Sequence, residues 1–186
     1  MNKKTIAIGS LSILFILLLI LIKTNSIESF DTSIYNLIAI HINANLTDFF
    51  KFMTFLGEGV SIASFCVLAL IVTFILKKRN IGLIIAGCVT FNSLFSEGLK
   101  RIIQRPRPEI LRLINESSYS FPSSHTLASV SLCGILIYFI LRSEWNKNIK
   151  IIISSLLVLF PLLIGISRIY LGVHNASDVF EGQFLL

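Results

Sequence analysis

Two of the chain's three histidines fall in short polar stretches at the edges of long apolar blocks. The first stretch runs Lys100-Arg-Ile-Ile-Gln-Arg-Pro-Arg107-Pro108 and holds no histidine. The second is Phe121-Pro122-Ser123-Ser124-His125, and the third runs from Ser167-Arg168 through His174 to Asp178. These residue types suit phosphoryl transfer. The transferred group spreads charge over its equatorial oxygens, so its site needs several fixed cations and amide donors. Arginine offers a planar fork that fits phosphate oxygens, and lysine offers a point charge. Lys100, Arg107 and Arg168 can supply these. Ser123 follows a proline at a helix start, where free backbone N–H groups and the positive dipole end face outward. A neutral imidazole can attack phosphorus when a carboxylate holds its other nitrogen. His174 and Asp178, four residues apart, share a face on one helical turn. His125 can then protonate the leaving alkoxide. Each role is filled by a side chain, no metal-ligand cluster is visible, and neither a metal nor a cofactor is expected.

Taken singly, each stretch has an ordinary explanation. A basic loop meets lipid headgroups, a Pro-Ser helix start is a cap, and a His and an Asp at four-residue spacing form a surface pair. Their coincidence at membrane edges points to one site, because ionisable residues at membrane depth are functional candidates by default.

The elements that must position these residues are membrane helices. The chain has 186 residues, 54% hydrophobic and only 14% charged, with a mean hydropathy of +0.84. A water-soluble domain of this size needs more charge on its surface. The apolar residues are grouped in blocks near bilayer length. The net charge of +6 lies in clusters between those blocks, as loop cations do, so nucleic acid is not the expected partner. Cys66, Cys88 and Cys133 sit inside apolar blocks and read as small buried hydrophobes.

The expected fold is all-α, a single membrane-embedded domain over 1–186. Residues 1–58 hold a first span and an extracytoplasmic amphipathic helix, and 59–186 a catalytic bundle. The first block, Thr5 to Ile22, exceeds a signal-peptide core and reads as a retained span. From Asp31 to about Leu56, apolar residues recur at three- and four-residue steps, describing one amphipathic interfacial helix, lying along the membrane surface or packed on the bundle, with His41 on its solvated side. Further blocks run Gly59 to Leu76, Ile81 to Leu99, Ser123 to Leu141 and Ile151 to Leu171. The last, His174 to Leu186, is shorter than a span and is expected to be a partly present helix. Positive residues place the N-terminus in the cytoplasm, with Lys77-Lys78-Arg79 and the Arg142–Lys150 connection on the same side. Lys100, Arg101, Arg105, Arg107 and Arg112 then lie outside, against the rule, and anion binding is the expected reason. No oligomeric state is legible.

The motifs resemble the type-2 phosphatidic acid phosphatase superfamily, which includes lipid phosphate phosphatases and vanadium haloperoxidases. Its pattern is Lys-x6-Arg-Pro, Pro-Ser-Gly-His and Ser-Arg-x5-His-x3-Asp. Here Lys100 to Pro108 fits the first part and Ser167 to Asp178 the third. Pro122 to His125 fits the second, with Ser124 in place of glycine but still offering its amide. The resemblance spans about Lys100 to Gly182. It implies a six-helix bundle with an outward-facing site, a phosphohistidine on His174 oriented by Asp178, and His125 as general acid. It also implies phosphate contacts from Lys100, Arg107, Ser123, Ser124 and Arg168. Substrates of the family range over phosphatidate, phosphatidylglycerol phosphate, isoprenyl diphosphates and sugar phosphates. A compact chain rich in Ile, Lys and Asn reads as bacterial, with undecaprenyl diphosphate or a phospholipid phosphate as its partner in the membrane. The alternative is a non-catalytic lipid-phosphate binder, although binding alone requires neither a second histidine nor Asp178 behind His174. A soluble haloperoxidase is at odds with the composition, and a transporter with the lack of an inverted repeat.

Overall fold

The computed structural model describes residues 3–184, and these are helical with connecting loops. Eight helices follow in order: α1 (Lys3–Lys23), α2 (Glu28–Ala39), α3 (Ala44–Leu56), α4 (Gly59–Ile75), α5 (Arg79–Ile103), α6 (Ser124–Leu141), α7 (Lys147–Tyr170) and α8 (Ala176–Phe184). Among the described residues, α5, α6 and α7 are long and apolar enough to cross a membrane. Counting each of two bent pairs as one span raises the number to five: α1 from Ser12 with α2, at 89°, and α3 with α4, at 52°.

The expected amphipathic helix from Asp31 to Leu56 is in fact two helices, α2 and α3. Asn43 breaks it. Its backbone is extended (φ −153°, ψ 166°) and its side chain accepts from the Leu46 N–H at 3.0 Å, so it caps a new helix. The Asn43 N–H donates to the Tyr170 hydroxyl at 3.2 Å, a contact 127 residues distant in sequence. The apolar spacing runs on through the break because both helices pack on the same bundle: Ile34, Tyr35 and Ile38 against Ile169 and Val179, and Ile42 and Leu46 against Phe50 and Tyr170. His41 is exposed, as expected.

In lipid no hydrophobic force drives helices together, so close packing and interhelical hydrogen bonds must do it. Ile62 and Cys66 of α4, Ile85 and Val89 of α5, and Ala128 and Leu132 of α6 form one buried cluster. Asn92 Nδ2 donates to Ser131 Oγ at 2.8 Å, and Ser96 and Ser124 hydroxyls pair at 2.9 Å, tying α5 to α6. Gly82 lets α5 approach α4: a Cβ there would lie 2.1 Å from Thr73 Oγ1. Large apolar side chains such as Phe74, Phe91 and Ile152 face outward, where lipid suits them.

Two backbone breaks shape the end of the bundle that gathers the motifs. α5 stops at Gln104, which is left-handed (φ 51°), and Pro106 and Pro108 cannot extend a helix. α7 stops at Leu171, and Gly172 turns the chain at φ +73°. That turn packs against the α5–α6 loop, with the Leu113 N–H on the Leu171 carbonyl at 3.0 Å. A Cβ on Gly172 would lie 2.1 Å from the Leu111 carbonyl oxygen. Gly172→Ala combines a left-handed backbone with a backbone clash, and is expected to cost about 2 kcal/mol or more. Thermal melts in detergent should show it clearly lowered, with Gly87→Ala, whose Cβ meets nothing within 4 Å, unchanged or raised. Equal melts for the two would refute this account of the turn.

Candidate active site

The end of α5, the starts of α6 and α8, and the end of α7 converge, and the eight expected site residues lie there. Lys100, in the last turn of α5, is buried and donates through Nζ to the Tyr119 carbonyl at 2.5 Å. Arg107, in the loop beyond the prolines, is also buried. Its Nε donates to the Ser118 carbonyl at 2.6 Å, its Nη2 to Ser118 Oγ at 3.0 Å, and its Nη1 to the Val173 carbonyl at 2.7 Å. The same Nη1 is 3.4 Å from His174 Nε2. Arg168, on the last turn of α7, is 1% exposed; Nη1 donates to Thr54 Oγ1 at 2.6 Å and Nη2 to Glu116 Oε1 at 2.5 Å, while Nε has no partner among the described residues.

Ser123 immediately precedes α6 without making a side-chain cap and is fully buried, with its N–H on the Asp178 carbonyl at 3.3 Å and its hydroxyl accepting from Thr126 at 3.0 Å. Its own amide therefore faces the protein. The N–H groups left without helical partners belong to the first turn, Ser124 to Thr126. Ser124 pairs with Ser96 through its hydroxyl. His125, in that turn, is half-buried and within electrostatic range of Arg168, His174, Lys100 and Arg107.

Asp178 is completely buried in the first turn of α8. Its Oδ1 accepts from Arg105 Nη1 at 2.5 Å, and its Oδ2 from the Asn175 N–H at 2.8 Å and from the Ser120 hydroxyl. His174 Nδ1 lies 3.6 Å from Asp178 Oδ2, beyond hydrogen-bond length, and has no other partner among the described residues. Burial holds His174 well below the ordinary imidazole value, to about 4; the Asp178 carboxylate pulls upward and Arg168 adds to the lowering. The ring is therefore neutral at pH 7.

The five cations between Lys100 and Arg112 do not all serve one purpose. Arg105 joins Asp178 to Asp31 of α2, whose Oδ2 it meets at 2.8 Å. Asp31 is itself buried and accepts the Ser177 N–H and hydroxyl, each at 2.8 Å. Arg101 is exposed and pairs with Glu97, and Arg112 donates to the Pro108 carbonyl. Lys100 and Arg107 alone of the five turn to the histidines, which leaves these two as candidates for anion binding, while Arg105 is held in a structural pair. Sequence reasoning also missed Asp31, Ser120, Glu116 and Thr54. Their contacts join distant segments, and no local spacing announces them. The one available signal was Asp31, an acid in an otherwise apolar stripe.

Glu116 sits between two cations, with Oε2 3.6 Å from Arg107 Nη2 and Oε1 on Arg168. Burial alone would raise its carboxyl, but Arg168 and Arg107 hold it below the usual range. Among the described residues, no group of three or more His, Cys, Asp or Glu is placed to hold a metal ion. A cavity of about 560 Å³ opens beside the site, between the end of α1, α2 and the loop after α5, and reaches Asp31, Arg105, Arg107 and Asn175.

Residues 80–185 match the model of the PAP2 superfamily. The chain is 31% identical over 178 residues to phosphatidylglycerophosphatase B of Bacillus subtilis, covering 93% of this chain and 86% of that protein. It is 30% identical over 125 residues to dolichyldiphosphatase 1 of Dictyostelium discoideum, of which it spans about half (52%). The crystal structure of a transmembrane PAP2-type phosphatidylglycerolphosphate phosphatase from Bacillus subtilis superposes with a TM-score of 0.88 at 29% identity, over 95% of this chain and 89% of that one. Aquifex aeolicus LpxE superposes with a TM-score of 0.64 at 27% identity, over 82% and 87%. This chain belongs to the PAP2 superfamily, and is a multi-pass membrane phosphatase of that family.

Proposed function

We propose that the protein removes the terminal phosphate from a membrane lipid through a phosphohistidine on His174, without a metal, at the extracytoplasmic face. The observation that carries this reading is the orientation of His174. Its Nδ1 faces the anchored carboxylate of Asp178, and its Nε2 faces Arg107. Nε2 is the nucleophile. It attacks phosphorus, the bond to the lipid oxygen breaks, and His125 gives that oxygen its proton. Asp178 stabilises the imidazole as it takes on charge. Water, deprotonated by His125, then attacks the phosphohistidine; the P–N bond breaks, and inorganic phosphate leaves. Arg107, Arg168 and Lys100 hold the phosphoryl oxygens, together with the amides of the first turn of α6.

The Bacillus subtilis relatives are named for phosphatidylglycerol phosphate, so that lipid is the leading substrate, ahead of phosphatidate and undecaprenyl diphosphate. Lys78, Arg142 and Trp145 line one groove between α4 and α6 at the other end of the bundle. Cations concentrated there support placing the site outside and the N-terminus in the cytoplasm.

Phosphate release from phosphatidylglycerol phosphate in detergent should survive a chelator, and His174→Ala should lower it by about 1,000-fold or more. Acid-labile phosphoenzyme should be trapped with the wild type and not with the variant; release that stops with the chelator would sink the metal-free mechanism. Since His174 must be neutral to attack and titrates at about 4, its limb of the kcat/KM profile should lose activity only as pH falls through that value. An acid limb near the ordinary imidazole value of 6.5 would contradict a buried nucleophile. Asp31 and Arg105 act through Asp178 as positioning residues. Asp31→Asn should lower kcat by about 10- to 100-fold with KM little changed, and a variant altered only in thermal stability would refute that role.

A further inference from the structure

One acidic side chain enters the cation cluster from the α5–α6 loop. Glu116 is borne on coil, and its side chain is 24% exposed. Arg168, by contrast, is locked in place: Nη1 on Thr54 of α3, the whole side chain 1% exposed. The free edge of this guanidinium is Nε with Nη2, the pair that grips two oxygens of a phosphate side by side. Glu116 Oε1 takes Nη2 at 2.5 Å, while Nε has no partner among the described residues. The carboxylate thus fills one prong of a two-pronged site. Its other oxygen reaches towards Arg107 Nη2 at 3.6 Å, so it spans both arginines.

A permanent brace for Arg168 is the plainer explanation, but it fits poorly. Thr54 and near-complete burial already fix the guanidinium, and a brace meant to last would use both prongs. A buried arginine without a counter-ion is costly, however, so an anion must be present whenever phosphate is not. A carboxylate on a partly exposed loop meets that need and can be exchanged. Arg168 and Arg107 keep it ionised at neutral pH, so it competes with phosphate as a charged group.

We propose that Glu116 is an internal competitor for the phosphate subsite, displaced by the incoming phosphoryl group and returning to help expel inorganic phosphate. This rests on reading Arg107, Arg168 and His174 as that subsite. Glu116 therefore sets how tightly the enzyme holds its product, and keeps phosphate from clogging a site rich in positive charge.

The test is inhibition by inorganic phosphate and by vanadate, measured on the full chain in detergent, with thermal melts alongside. Glu116→Gln keeps the shape and removes the charge, and should lower the inhibition constants by about 10-fold or more, with KM falling in the same direction. Glu116→Asp keeps the charge but draws the oxygens back by one methylene, and should lie between wild type and Glu116→Gln; it serves alone if the glutamine variant does not fold. Inhibition constants that are unchanged or raised in both variants would overturn the proposal in favour of a brace. Arg168→Ala separates the two levels: if phosphate inhibits it as strongly as the wild type, the subsite reading itself fails, and this proposal with it.

Discussion

Asp178 is a carboxylate with no solvent exposure at all. A bare charge in such a place is untenable, and the chain must bring donors to it from wherever they can be found. Arg105 and Ser120 come from the two ends of the α5–α6 loop, and the Asn175 N–H from the turn before α8. Arg105, half-buried, meets a second anion as well, Asp31 on α2. One buried carboxylate thus recruits a loop, a turn and a surface helix. The shape of the site end follows from satisfying it.

The same logic accounts for the long loop between α5 and α6. Arg107 and Lys100 bind the Ser118 and Tyr119 carbonyls, and the Ser120 N–H binds the Arg105 carbonyl. Backbone oxygens of the loop are met by the cations of the site. The loop and the cations stabilise each other, and both are set before any lipid arrives. Such preorganisation is what electrostatic catalysis requires.

The long membrane blocks and the three motifs were legible in the sequence, because each rests on local information: apolar run length for the helices, and residue type and spacing for His174, Asp178, Arg168 and Arg107. The all-α class and the convergence of the motifs followed from them. What was not legible rests on distance. The Asn43 break is invisible in an apolar periodicity that continues across it, since Tyr170 fixes it from 127 residues further along the chain. Arg105 looked like a fifth anion-binding cation because its partners are Asp31 and Asp178, 74 and 73 residues away. Glu116 gave no signal, because a single acid in a loop is ordinary until Arg168 is beside it.

The ties that close the site have a consequence for how the molecule is made. Asp31 holds Ser177 across 146 residues, the Tyr170 hydroxyl meets Asn43 across 127, and Arg168 reaches Thr54 across 114. All three N-terminal partners lie ahead of the stretch that matches the family, residues 80–185. Contacts of such sequence separation form late, because a long chain must be closed before they repay its entropy. During synthesis α2 and α3 emerge long before α7 and α8 leave the ribosome. The first third of the chain therefore waits as a template, and the site comes into being only when the last turn of α7 and the start of α8 dock onto it.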